Sequence, residues 1–567
     1  MRTLLSRWLV NLRTAPRSTY LIVGIVFAAT AFKLLIAASQ GVSLLGRERY
    51  DDALFLRIAQ SIRVGRWLGA YNNLPLAKGP IFPLWIAVVS RLSVPLPIAN
   101  QLLYAAACGL IVLVTRPFLH NKWSSTGLYL VLLFNPVTTA DGPATRVLRE
   151  NVYPALTLLV VACAIGLWTR VGEAPRRWLP WTVALGAAGG TFWLTREEGL
   201  WLIPLLLLPV FGLAISASSQ PKRLRRAART VLPWIVALML GVVVVTAFAQ
   251  TNRLVYGVGV VTDTNAGSFP AAYGALLRIT PERWQADAPV PTEVRKRAYA
   301  ASPTFESLAP KLEQWLENAP PQQKNADGEI KGGWFQWYLR DVAAQYGVYA
   351  DAKMADSFFG KVASEINAAC EDGRIECGPA RTGLMPPLKS QYLGPVASTA
   401  WGAVIYLATF EDVASRPTKS SLSPREKPQI TRSSVARLVH APLAGVDAPP
   451  RFHRPGQWML AALLTLYRWL TPLAAIAAMF ATLLSLGRAL KNRTDPDAVQ
   501  MAGLLVTLAA LVFARIALVS LVDVTSFSAV TAIYLAPAYG IMILWAYLAV
   551  TFLVTALRTS MRRNVGA

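Results

Sequence analysis

Two consecutive carboxylates stand among arginines in Arg47-Glu48-Arg49-Tyr50-Asp51-Asp52, just beyond the first long apolar run of the chain. A carboxylate within hydrogen-bond reach of a hydroxyl can take its proton. Arginine or lysine nearby can hold the charge that develops on a phosphate leaving group. One Asp at the start of a helix needs no further explanation than capping and the helix dipole. Two in succession between cations exceed what capping requires. Neighbours on a helix point about 100° apart, so one is expected to act as base and the other to support it.

Three more polar clusters fall beside apolar runs, where charge is costly and usually has a partner or a task. Tyr71, Asn72, Asn73 and then Lys78-Gly79-Pro80 precede the stretch Ile81–Val94, and Lys78 reads either as a phosphate contact or as a snorkelling lysine. Arg146, Arg149, Glu150 and Tyr153 follow, with spacings of three and four that would place the first three on one helical face. Arg196-Glu197-Glu198 occupies a very short connection. Each of the last two could be a structural ion pair; their convergence on one side is what suggests a site. Asp523-Val524-Thr525-Ser526 and Tyr534, Pro537 and Tyr539 come last, in a position where aromatic residues are more often interface anchors than ligands.

The elements that must hold these residues are membrane spans. Hydrophobic residues make up 54% of the 567 and mean hydropathy is +0.40, above a soluble globular average. Apolar runs predict about ten spans, at roughly 20–38, 98–115, 125–138, 152–169, 181–195, 199–216, 231–250, 457–486, 500–521 and 529–556. A net charge of +25 would suggest nucleic-acid binding in a soluble protein, but here it is distributed otherwise. Arg2, Arg7, Arg13 and Arg17 precede the first span; Arg116 and Lys122, Arg170 to Arg177, Lys222 to Arg229, Arg488 to Arg493 and Arg558 to Arg563 mark every second connection after it. The positive-inside rule therefore puts these connections and both termini in the cytoplasm, with the four polar clusters outside. The first span is read as an uncleaved anchor rather than a signal peptide, since no small-residue cleavage site follows it.

This alternation divides the chain into an N-terminal membrane core over 1–250, an outer insert over 251–456 and C-terminal spans over 457–567. The first outer loop, 39–97, holds the acidic pair at the head of an amphipathic helix, Asp52–Val64, with Leu54, Ile58 and Ile62 opposite Arg57, Gln60 and Arg63. A second interfacial helix is expected over Ile81–Val94. The insert carries Trp284, Trp315, Trp334 and Trp337, and a stripe of Phe359, Val362, Ile366 and Ala369 predicts a helix within it. Its tail, about 412–456, is Pro- and Ser-rich without periodicity and reads as a loop ordered by contact or as a linker. Cys370 and Cys377 are placed to bridge in an oxidising compartment, while Cys108 and Cys163 fall inside spans as small apolar residues. His120, His440 and His453 are scattered and form no zinc site.

The order of these parts resembles the GT-C superfamily of polyprenyl-phosphate-sugar-dependent membrane glycosyltransferases, which includes protein mannosyltransferases and lipid A aminoarabinose transferases. The matching elements are Asp51-Asp52 in the first outer loop, Lys78-Gly79-Pro80-Ile81-Phe82-Pro83-Leu84, Thr195-Arg196-Glu197-Glu198-Gly199 and Tyr534-Leu535-Ala536-Pro537. They lie in residues 1 to about 250 and in the last hundred or so, not in the insert. The acidic pair is Asp-Asp where mannosyltransferases have Asp-Glu, and a Trp-Trp-Asp signature is missing from the insert, which points away from transfer to Asn.

The resemblance implies an all-α polytopic fold with interfacial helices, and an inverting transferase of a bacterial inner membrane with its site facing the periplasm. The donor would be a polyprenyl-phosphate sugar and the acceptor a glycan, lipid or protein hydroxyl, with membrane lipids around it and no nucleic acid. Asp51 is then the expected general base, and Asp52 its supporter or a metal ligand. Lys78, Arg149 and Arg196 would hold donor phosphate, while Arg146, Glu150, Glu197 and Tyr534 would contact substrate or orient an arginine. Some members of the superfamily use a divalent cation, Mg or Mn, and others none; no carboxylate cage is evident here. Two other classes share the span count. An O-antigen-type polymerase or ligase would carry its arginines and histidine in the large outer loop. A flippase or transporter would carry charges in mid-span, where Lys33 and Arg515 are the basic residues seen. A scaffold for other envelope enzymes would not require the outer acidic pair.

Overall fold

The computed structural model describes residues 16–46, 48–119, 121–196, 198–216, 223–415, 417–421 and 431–565. Among them the chain is helical, with isolated backbone bridges in place of strands. Six helices are long and apolar enough to cross a membrane: Arg17–Ala38, Leu96–Phe118, Ala227–Tyr256, His453–Lys491, Pro496–Thr525 and Ala532–Arg558. Such runs are stable in hydrocarbon because every backbone polar group inside a helix is bonded within it. Leu21, Phe27, Leu238, Val243, Leu473 and Ile476 face outward from them, as lipid-exposed helices require.

The remaining expected spans also fall on helical elements, but shorter or more polar ones: Lys122–Leu133, Tyr153–Trp168, Pro175–Thr195, and Gly199–Leu206 continuing as Leu207–Ser216. Tyr153–Trp168 is apolar all round and buried along nearly its whole length, so it forms the centre of the bundle rather than its rim. Small residues let neighbours approach it: a Cβ on Gly166 would fall 2.3 Å from the Trp181 ring.

After the first span the chain is threaded between two other segments. Val42 pairs with Leu443, Ser43 with Arg146 and Leu45 with Ser421. The parts of the Pro- and Ser-rich tail that are described are therefore tied to the first loop, with Ser43 Oγ donating to Thr418 O at 2.6 Å. Helices Asp52–Arg63 and Ile81–Arg91 then lie against each other, with Phe55 and Phe82 edge to face at 5.4 Å. The buried face of the first includes Phe55, Leu56 and Ala59 as well as Leu54 and Ile58, because the second helix covers it. A third short helix, Arg432–Val439, closes over this pair, and Ser90 Oγ donates to Arg437 O at 2.8 Å.

The insert has its own core, in which Phe359, Val362 and Ile366 of helix Ala352–Glu371 join Tyr273, Phe335 and Leu339. One helix in the region read as insert belongs to the bundle. Leu393–Thr409 packs against Pro496–Thr525 and leaves Leu393, Trp401 and Ile405 exposed. At 17 residues it falls short of the roughly 20 that a hydropathy reading looks for. The Cys370–Cys377 disulfide is formed, with Cα atoms 5.5 Å apart, and fastens the end of Ala352–Glu371 to a segment bridged with Ile279. Closing so short a loop is worth about 2–3 kcal/mol in the chain-entropy account. Cys370→Ser with Cys377→Ser should therefore lower the thermal midpoint of the insert, and reductant should do the same to the wild type; identical melting curves would contradict this.

Candidate active site

The first-loop acids do not cap their helix. Asp51, the residue before Asp52–Arg63, makes no capping hydrogen bond; its carboxylate meets the Lys78 ammonium instead. Lys78 occupies Oδ1, and among the described residues no donor reaches Oδ2. The ammonium lies 5.9 Å from the Phe55 ring centre and 5.7 Å from that of Trp337. Its position is fixed by Gly79, where an added Cβ would stand 2.3 Å from Leu194 O and 2.7 Å from Thr195 O. The close approach sets Lys78 at the C-terminal end of Pro175–Thr195, where the helix dipole favours a cation. Arg149 reaches the same end, with Nη1 3.5 Å from Thr195 O.

Asp52 is fully buried and its two oxygens are taken by a fork: Arg146 Nη2 donates at 2.7 Å and Nε at 3.2 and 3.3 Å. The Leu45 N–H adds a bond at 3.3 Å. The two acids consequently differ in basicity. Burial pushes Asp52 up, the Arg146 fork pulls it back, and the balance stands at about 6. Burial also acts on Asp51, but Lys78, with Arg146 and Arg149 behind it, holds this carboxyl below the usual range. Lys78 is itself pushed down by burial, with Asp51 opposing the shift.

A second chain of charges runs beside the first. Glu150 pairs with Arg196, Arg196 Nη2 stands 2.9 Å from Glu198 Oε1, and Glu198 Oε2 stands 3.0 Å from Arg515 Nη1. Arg515 Nη2 and Nε donate to Tyr534 O at 2.6 and 2.9 Å, and the Tyr534 ring lies 4.9 Å from the Arg196 guanidinium. Burial would raise Glu198, but Arg196, Arg515 and Arg149 together hold it well below the ordinary carboxylate range.

Most of the expected residues are thus brought to one end of the bundle, but not as their spacing suggested. Arg146, Arg149 and Glu150 share no helical face. The chain there is a turn followed by the short helix Arg149–Asn151, held open by the Ser43–Arg146 bridge and by Asn151 Nδ2 bonding to Pro143 O and Arg146 O. Arg146 goes to Asp52, Glu150 to Arg196, and Arg149 to the helix end between them. Arg47, His120 and Glu197 lie outside the described residues. Asp523 accepts from the N–H groups of Ala529 and Val530 and shapes the turn between the last two spans. Lys33 is held by Thr138 Oγ1 at 2.9 Å.

Residues that sequence reasoning did not select also stand here. Tyr50, within the motif itself, is bonded to Asp341 of the insert, and Trp337 of the insert lies against Tyr50 and the Lys78 ammonium; nothing local in the insert marked Asp341 or Trp337. Among the described residues no group of three His, Cys, Asp or Glu could hold a metal. The donor set does not suit a divalent ion either, since Lys78 and Arg146 already sit on the two carboxylates.

Adding a methyl at Gly79 must push the Lys78 turn off the helix end, and overpacking of this kind costs about 1–3 kcal/mol. Gly79→Ala should lower the thermal midpoint in detergent, whereas Gly24→Ala, which has nothing within 4 Å, should not. Equal midpoints for the two variants would contradict the tight packing.

No family model matches the chain, and no curated protein matches it. Two solved structures are similar to it, both of ArnT from Cupriavidus metallidurans. The one bound to undecaprenyl phosphate has a TM-score of 0.31 at 15% identity, over 88% of this chain and 78% of that one. The apo state gives 0.30 at 15% identity, over 90% and 78%.

Proposed function

We propose that the chain is an inverting glycosyltransferase that moves a sugar from a polyprenyl-phosphate donor to an acceptor hydroxyl at the outer, periplasmic face of a bacterial inner membrane. The observation that carries the reading is the half-buried Asp51 carboxylate, with one oxygen on Lys78 and the other without a donor among the described residues, in a row of arginines at the end of an apolar bundle. In this reading Asp51 Oδ2 takes the acceptor proton as the acceptor oxygen bonds to the anomeric carbon. The bond from that carbon to the phosphate oxygen breaks, and its electron pair leaves with the phosphate. Attack opposite the leaving group inverts the centre in one step, and one carboxylate suffices.

Lys78, Arg149 and Arg196 would hold the phosphate, which needs charge stabilisation rather than protonation to leave. Asp52, locked on Arg146, would set the start of the helix, and Glu197 would orient an arginine or meet the sugar. An apolar furrow of about 680 Å³ between Pro175–Thr195, residues 199–216 and Arg223–Tyr256 ends at Phe192, Trp193 and Gly199, beside Arg196. Of the glycines in its lining, Gly189 faces open space, while Gly186, Gly190 and Gly241 let the two long helices pack closely beside it, and the furrow supports the reading by offering room for an isoprenoid tail. Lys33 and Arg515 have fixed partners, which favours an enzyme over a carrier with mobile mid-span charges.

The purified protein in lipid, given a set of polyprenyl-phosphate sugars, should release and transfer sugar. Asp51→Asn should lose roughly 10²–10⁴-fold in kcat, the usual worth of a general base, and still bind donor. Lys78→Met should instead weaken donor binding. Wild type that handles no donor, or full turnover in the Asp51→Asn variant, would overturn the proposal. The acids also differ in their pH signature. With Asp51 as base, kcat/KM stays level as pH falls and is lost only below the usual carboxylate range, because the free-enzyme group stays ionised until then. An acid limb at about 6 would assign the base to Asp52 instead.

A further inference from the structure

The insert touches the first loop beside the acids, and there it grips the residues on either side of them. Helix Gly332–Gln345 presents Trp337, Arg340 and Asp341 to that loop. Asp341 Oδ1 accepts from Tyr50 Oη at 2.7 Å and from Asn73 Nδ2 at 2.7 Å, and Arg49 Nη1 stands 3.5 Å from it. Asn73 Nδ2 also donates to Tyr50 Oη at 2.8 Å, so phenol, amide and carboxylate close a triangle. The Tyr50 ring lies 4.2 Å from that of Trp337, whose other neighbour is the Lys78 ammonium. Burial and Asp341 both push the Tyr50 phenol up, so it remains a donor.

Arg340, the residue before Asp341, is fully buried and fixes Asn73 from behind. Its Nη2 donates to Asn73 O at 2.7 Å while Nη1 pairs with Asp263 at 2.8 Å. The other end of the same helix is seated on the connection between the last two spans. Gly333 N–H donates to Ser526 O at 3.1 Å, and a Cβ on Gly333 would fall 2.4 Å from the Phe527 ring. Phe527 lies 5.3 Å from Tyr534, which covers Arg196. One rigid helix of the insert therefore spans from the Arg196 network to the residue joined to Asp51.

We infer that Asp341 is a positioning residue for Asp51, acting through Tyr50, and that helix Gly332–Gln345 is the bracket by which the insert sets the distance between the two charge networks. The inference rests on the proposed transferase function for its kinetic arm. Tyr50 precedes Asp51 with no slack between them, so releasing the phenol lets the carboxylate drift from the acceptor hydroxyl. Misplacement on the order of 1 Å at a reacting group costs about 10²-fold in rate.

The test compares wild type, Asp341→Ala, Asp341→Asn, Tyr50→Phe and the Asp341→Ala/Tyr50→Phe double variant in lipid, by donor turnover and by hydrogen–deuterium exchange of the peptide over 48–56. Asp341→Ala and Tyr50→Phe should each lower kcat by about 10- to 100-fold with donor KM unchanged, and the double variant should be no slower than the worse single one. Asp341→Asn keeps an acceptor oxygen and should restore most of the rate. Exchange over 48–56 should quicken in Asp341→Ala and Tyr50→Phe. Wild-type turnover and exchange in a folded Asp341→Ala, or losses that multiply in the double variant, would overturn the inference. If Asp341→Ala does not fold, Tyr50→Phe, which removes one oxygen, decides alone. Wild type without turnover would end the transferase reading, while unchanged exchange in Tyr50→Phe would end the bracket.

Discussion

Charge held at the rim of a hydrocarbon-spanning bundle must be neutralised where it stands, because water is scarce and the surrounding dielectric low. The rim of this protein satisfies that constraint by alternation: Lys78 on Asp51, Arg146 on Asp52, then Glu150, Arg196, Glu198 and Arg515 in sequence. Asp52 is forked by Arg146, Glu198 is shared between Arg196 and Arg515, and the buried Glu150 is held by Arg196. Asp51 differs in combining partial exposure with a single partner among the described residues, and that combination is what makes it the chemically available group. The remaining architecture follows from keeping these partners together, since removing any one strands a charge.

Three devices from distant parts of the chain do this. Gly79 lets the Lys78 turn rest on the carbonyls ending Pro175–Thr195, so one helix end receives both Lys78 and Arg149. The segment after the first span is clamped between the 141–147 turn and residues 418–421 and 442–444 of the tail, with Thr418 N–H on Asp141 Oδ1 at 2.9 Å, and this fixes the entry to Asp51. The insert helix Gly332–Gln345 clamps the same entry from above. Rigid partners on several sides are what a site needs if charge is to be stabilised without reorganisation during the reaction.

Much of this was legible in the sequence, for definite reasons. Long apolar runs and alternating basic connections depend on composition alone, so helices appear where hydropathy put them, and the paired acids with Lys78 and Arg196 mark one end of the bundle. The helix at Asp52 was recoverable because its apolar stripe keeps helical period, and the one at Ile81 because it is a hydrophobic run too short to be a span. Spacing failed at Arg146, Arg149 and Glu150, where Gly142-Pro143 and the bridge to Ser43 break the helix that a three-and-four pattern assumes. Leu393–Thr409 was missed because it is short and lies in a region otherwise polar. The Asp341–Tyr50 contact joins residues 291 apart in sequence, and no local pattern announces such a pairing.

The central claim, that the cations around Asp51 form a phosphate site facing an isoprenoid furrow, is tested most directly by a structure of the protein in lipid with a polyprenyl phosphate bound. The account predicts phosphate density within hydrogen-bond reach of Lys78 and Arg149, with the tail entering the furrow lined by Gly186 and Gly190. Phosphate density elsewhere, with Lys78 still closed on Asp51 and the furrow filled by ordinary lipid, would contradict it.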